Sequence, residues 1–144
     1  MKKIIFLVTF LFIISFAKAD TNISLKNYLD AKSIEDGKTQ IYLLNRCSAI
    51  YAYASAIILK TDAVSSKSFI EISNNLLFKS VELTIIEEEK KLEEVQKKAE
   101  EIRKELFNNY IIDGKKNWEK NKSHFKGSYI ANDMTICSKL TEEK

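Results

Sequence analysis

Residues 41–59, IYLLNRCSAIYAYASAIIL, decide the fold. Leu43, Leu44, Cys47, Ile50, Tyr51, Ala54, Ile57 and Ile58 recur at three and four residues, which is one buried helical face. Ser48, Ala52, Ser55 and Ala56 add a second stripe, small enough to let a neighbouring helix approach closely. A helix this apolar all round is either the centre of a bundle or a membrane span. Nineteen residues would just reach across a bilayer. Asn45 and Arg46 near the middle are costly there. The spacing therefore predicts a helix over 39–60 with partners on two sides.

Towards the N-terminus the chain reads as an export signal. Lys2 and Lys3 precede a 13-residue apolar core at 4–16, and Ala17-Lys18-Ala19 is an A-x-A cleavage site. The core is short of the ~20 residues of a spanning helix, so removal of 1–19 is expected. Lys2, Lys3 and Lys18 account for the whole formal charge of +3, and the chain beyond them is balanced. A net basic face, the usual basis of nucleic-acid binding, is thereby lost. Abundant Ile and Lys beside only two Arg point to an AT-rich bacterial genome and a periplasmic or secreted product. The roughly 125 remaining residues suit one domain.

The chain has no proline and only Gly37, Gly114 and Gly127, which serve as the natural punctuation. Within 20–36, Ser24 can cap a short helix through Leu25, Tyr28 and Leu29. Residues 61–68 read as a turn, and the pattern beyond them predicts one long helix over 66–112. Its second half narrows to Leu92, Val95, Ala99, Ile102 and Leu106, a coiled-coil-like seam. Glu87–Lys91, Glu93–Lys97, Glu94–Lys98 and Glu100–Lys104 line it as i,i+4 pairs, or simply as a solvated face. Some 44 residues of helix would measure ~66 Å, against about 35–40 Å for a compact domain of this size. The helix must bend near Asn74-Asn75 or protrude, and a protruding seam would invite a second copy. Gly114 is expected to end it, with 113–127 irregular. A last helix over 128–141 places Ile130, Met134, Cys137 and Leu140 on one face. No sustained period-two alternation appears, so the fold class is all-α: a small helical bundle.

Two cysteines in an exported chain imply one disulfide, Cys47–Cys137. Closing a loop of about 90 residues is worth roughly 4.6 kcal/mol by chain entropy. Register makes this demanding. If the chain returned wholly as helix from Gly114, Cys137 would fall ~12 residues, or about 18 Å, short of Cys47. Either 114–128 is extended or the long helix breaks, and the composition of 114–128 favours extension there. The bond would also bring Asp133, one turn before Cys137, to the turn that holds Arg46. An arginine in an apolar helix of a lysine-rich chain implies a need for its forked geometry, hence an Arg46–Asp133 ion pair.

No catalytic constellation emerges. His124 has no Ser or Cys nucleophile at a recognisable spacing. No CxxC, CxxCH or Cys–His spacing exists for haem or zinc, and the ten residues between His124 and Met134 fit no haem motif. No cofactor is expected. The most site-like stretch holds Trp118, His124, Phe125 and Tyr129 among lysines that include Lys116 and Lys120. Aromatics interleaved with cations suit a protein partner or an anionic envelope component. The plainer alternative packs the aromatics inward and leaves the lysines to solvate a loop. The functional expectation is an exported, non-catalytic binding or protein-interaction module, one that could self-associate through the seam. A membrane-associated accessory protein is the runner-up, ahead of an enzyme or electron carrier.

Overall fold

The computed structural model describes residues 22–142, which form five α-helices in chain order. These are α1 (Leu25–Asp30), α2 (Gly37–Ile58), α3 (Ala63–Glu88), α4 (Leu92–Asn121) and α5 (Tyr129–Glu142). There is no strand among the described residues. The proposed signal segment, 1–19, lies outside them.

Helix α2 is the hub. Asp36 caps it by accepting the Thr39 amide at 2.9 Å, which satisfies an amide that has no carbonyl partner within the first turn. Leu43, Cys47, Ala49, Ile50, Tyr51, Tyr53 and Ala54 are buried, so the helix passes through the core rather than along it. It packs against α3, α4, α5 and α1.

The two serines of the small stripe of α2 do what their size predicts, while Ala56 is exposed. Ser48 and Ser55 meet Ser73 and Ser66 on the antiparallel α3. Each hydroxyl donates to the carbonyl of its opposite number, at 2.8 and 2.7 Å for 48/73 and at 2.9 and 3.0 Å for 55/66. Seven residues separate the pairs on both helices, so these are two turns of one heptad seam. The same register carries Ser80 level with Ile41, which offers no hydroxyl, and the buried Ser80 Oγ has no hydrogen-bond partner.

Three sequence expectations fail here, each for a packing reason. Residues 61–68 are not a turn: Asp62 caps α3 by accepting the Ser65 amide at 2.9 Å, and the helix starts at Ala63. The long helix over 66–112 is two helices, neither bent at Asn74-Asn75 nor protruding. It breaks at Glu89, which adopts a left-handed φ of 51° and donates its amide to Ile85 O at 3.0 Å. Nothing local demands that break. A non-glycine residue there costs about 1–2 kcal/mol, which is offset when Val95 and Ala99 fold back onto Leu77 and Val81 as a second apolar cluster. Within the seam Val95, Ala99 and Leu106 are thus buried inside the chain, while Leu92 stays exposed.

Gly114, third, does not end a helix. It sits inside α4, where a Cβ would overlap the Tyr53 hydroxyl. Irregular chain is confined to 122–128, closed by the left-handed Lys122 and by Gly127 at φ 84°. These two reversals resolve the register problem. With the chain turned at 89–91, α4 runs parallel to α2 and brings Tyr110 beside Arg46. Helix α5 then returns across α2, with Asp133 at Arg46, Cys137 at Cys47 and Thr141 at Tyr51. The Cys47–Cys137 disulfide has its α-carbons 5.3 Å apart and both residues fully buried.

Candidate functional site

The densest chemistry in the molecule surrounds Arg46, whose side chain is wholly enclosed. Its Nε donates to Tyr110 Oη at 2.6 Å and its Nη1 to Tyr42 Oη at 2.9 Å. Its Nη2 donates to Ile23 O at 2.9 Å and to Asp133 Oδ2 at 2.5 Å. The guanidinium therefore spreads its fork over four partners instead of gripping one carboxylate with two bonds. The rings of Tyr110 and Tyr129 lie 5.1 and 5.7 Å from its central carbon, close enough for cation–π attraction.

Asp133 is equally occupied. Its Oδ2 also accepts the Tyr110 hydroxyl at 2.7 Å, and its Oδ1 accepts the Leu25 amide at 2.7 Å. Burial alone would lower the Arg46 pKa, but Tyr110, Asp133 and Tyr42 outweigh it and hold the value above the ordinary one. Burial also lifts the Tyr110 phenol well above its ordinary value, with Arg46 opposing and Asp133 reinforcing the shift. A buried charge is tolerable only when paired and hydrogen-bonded in this way. With every partner inside the chain, this centre fastens α1 and α5 to α2 and α4, and it leaves no position for a substrate.

The aromatic–lysine stretch divides across α4. On one side Trp118 stacks on His124 at 5.0 Å between centroids. The imidazole Nδ1 lies 3.1 Å from Tyr53 Oη, and Phe125 packs on Tyr53 at 5.5 Å. Burial pushes the Tyr53 phenol up to about 12. On the other side Tyr129 donates to Asp113 Oδ2 at 2.7 Å, and Lys116 pairs with Asp113 Oδ1 at 3.0 Å. Lys116, Lys120 and Tyr129 border a polar cleft of about 260 Å³ there. Trp118 and Phe125 thus do not form one continuous surface with Tyr129, Lys116 and Lys120. Phe125 and Tyr129 mainly pack, while Trp118 keeps 48% of its surface exposed.

A surface that sequence inspection missed lies between α3 and α4. Leu77, Phe78, Val81 and Leu92 line a hollow of about 300 Å³, with Gln96, Glu100 and Arg103 along its α4 edge. Phe78 is 61% exposed and Leu92 58%. Arg103 crosses the α4 side to donate to Asn74 Oδ1 at 2.9 Å. The signal was present, since Phe78 stands between the buried Leu77 and Val81. Reading 66–112 as one long helix hid it. No family model, curated protein or solved structure matches the chain. No group of three or more His, Cys, Asp or Glu that could hold a metal occurs among the described residues.

Proposed function

We propose that the protein is an exported, non-catalytic interaction module that binds a protein partner through the outer face of α3 and its groove with α4. The observation that carries this is Phe78, a large aromatic held 61% exposed beside an apolar hollow. Apolar anchors rimmed by charge are the usual composition of a binding patch. Export is supported by the leader-like residues 1–19 and by a disulfide, the bond of an oxidising compartment. As a membrane-associated accessory protein, the chain would have to rely on its leader, because α2, the one described helix long and apolar enough to span, is largely enclosed by its neighbours.

Affinity capture from periplasmic extract, with wild type, Phe78→Asp and Trp118→Ala compared, tests this. Loss of the captured protein with Phe78→Asp alone places binding on the groove. Loss with Trp118→Ala alone moves it to the aromatic–lysine loop. Equal recovery by all three rules both out.

A further inference from the structure

The two ends of the bundle carry opposite charge. At one end Glu87 closes against Gly37, which gathers segments 35–38 and 82–94. These hold eight acidic residues against three lysines. At the other end Tyr53 lies against Gly114 and His124, so the last turns of α4 run beside the end of α2. The Ser55–Ser66 pair brings the start of α3 to the same place. Segments 57–67 and 115–127 there hold seven lysines against Asp62 and Glu119 alone. Lys60, Lys67, Lys115, Lys120, Lys122 and Lys126 are all exposed, and none pairs with a carboxylate among the described residues.

Lysines near the end of α4 complement its dipole, but Lys60 and Lys67 stand on other elements. The basic end also exposes apolar side chains. Leu59 is 57% exposed and Val64 82%, and Trp118 joins them. They come from the cap of α2, the first turn of α3 and the last turn of α4. Single apolar tips on three separate elements make no shaped patch for a folded protein. Lipid headgroups, by contrast, part around each one. Tryptophan favours the headgroup level of a bilayer, and lysine stems lie along apolar surface while their ammonium groups reach phosphate. Ile86 and Leu92 are exposed at the acidic end too, but the carboxylates there repel a phosphate surface. Charge therefore selects which end faces the lipid.

We propose that the basic end docks on the surface of an anionic phospholipid bilayer, seating Trp118, Leu59 and Val64 among the headgroups and turning the acidic end away. Such docking needs no spanning helix, so the enclosure of α2 does not oppose it. It uses a different surface from the α3–α4 groove and stands independently of what that groove binds.

Trp118 is the only tryptophan in the chain, so its emission reports on this end alone. The protein recovered from the periplasm is mixed at low salt with vesicles of equal parts phosphatidylglycerol and phosphatidylcholine. They should shift the emission to the blue and carry the protein down on sedimentation, whereas phosphatidylcholine alone should do neither. Lys60→Glu and Lys115→Glu should each weaken binding about fivefold or more. Lys38→Glu makes the same change in net charge at the acidic end and should not weaken it. Val64→Asp should reduce co-sedimentation while helix content is kept.

Absence of both the shift and the co-sedimentation overturns the proposal. Equal weakening by Lys38→Glu and Lys60→Glu also overturns it, because overall charge and not this end would then govern binding. A shift produced by polyglutamate but not by the vesicles assigns the end to an acidic polypeptide and overturns the lipid reading.

Discussion

At the scale of single residues, Arg46 and Gly114 show how the interior constrains the chain. Removing one partner of a buried ion pair strands the other charge, so Asp133→Ala should cost about 3–5 kcal/mol of unfolding free energy in urea melts. Replacing both, as Arg46→Met with Asp133→Leu, should cost less than the sum of the single changes. Gly114→Ala would ordinarily stabilise a helix by about 1 kcal/mol. Here it should destabilise instead, because the new methyl meets the Tyr53 hydroxyl. Tyr53→Phe should relieve part of that cost, and a double-variant cycle would read the coupling.

The same tyrosine sets an alkaline limit. Its phenol ionises near 10 when unfolded and at about 12 in the fold. Its contribution is thus complete below pH 10 and is lost as pH rises through about 12. Tyr110 and Tyr129 shift in the same direction, mainly through burial. Urea midpoints should therefore fall between pH 10 and 12, less steeply in Tyr53→Phe.

At the scale of elements, periodicity and caps located the helices but not where one ends and the next begins. The three-four spacing of α2 was readable because its buried face and small-residue stripe are both local patterns. The break at Glu89–Lys91 was not readable, since its cause is the non-local return of Val95 and Ala99 onto Leu77 and Val81. Glu89→Gly should remove the left-handed penalty and stabilise the hairpin by about 0.5–1 kcal/mol. A fall in melting temperature instead would show that the Glu89 side chain matters there. Gly114 misled in the opposite way: its missing Cβ serves close packing against Tyr53, not chain reversal. Asp62, two residues after Lys60, was the overlooked start signal for α3.

At the scale of the whole molecule, the reversal at 89–91 and the one at 122–128 let α5 reach α2, where Cys137 joins Cys47 one residue along from Arg46. The chain's most reactive-looking groups, its cysteines and its buried arginine, are thereby spent on assembly. Among the side chains left outward are those of the α3 face and Trp118. Sequence inspection identified the residues of the fastening but placed the candidate surface on the loop, because exposure of Phe78 depends on where α4 lies.

The proposed export, with removal of 1–19 and one disulfide, would give a defined covalent mass. Intact mass of the protein recovered from the periplasm, taken without reductant, tests that directly. The predicted mass is that of a chain beginning at Asp20, less two hydrogens for Cys47–Cys137. A mass that includes residues 1–19, or one that shows two free thiols, would contradict it.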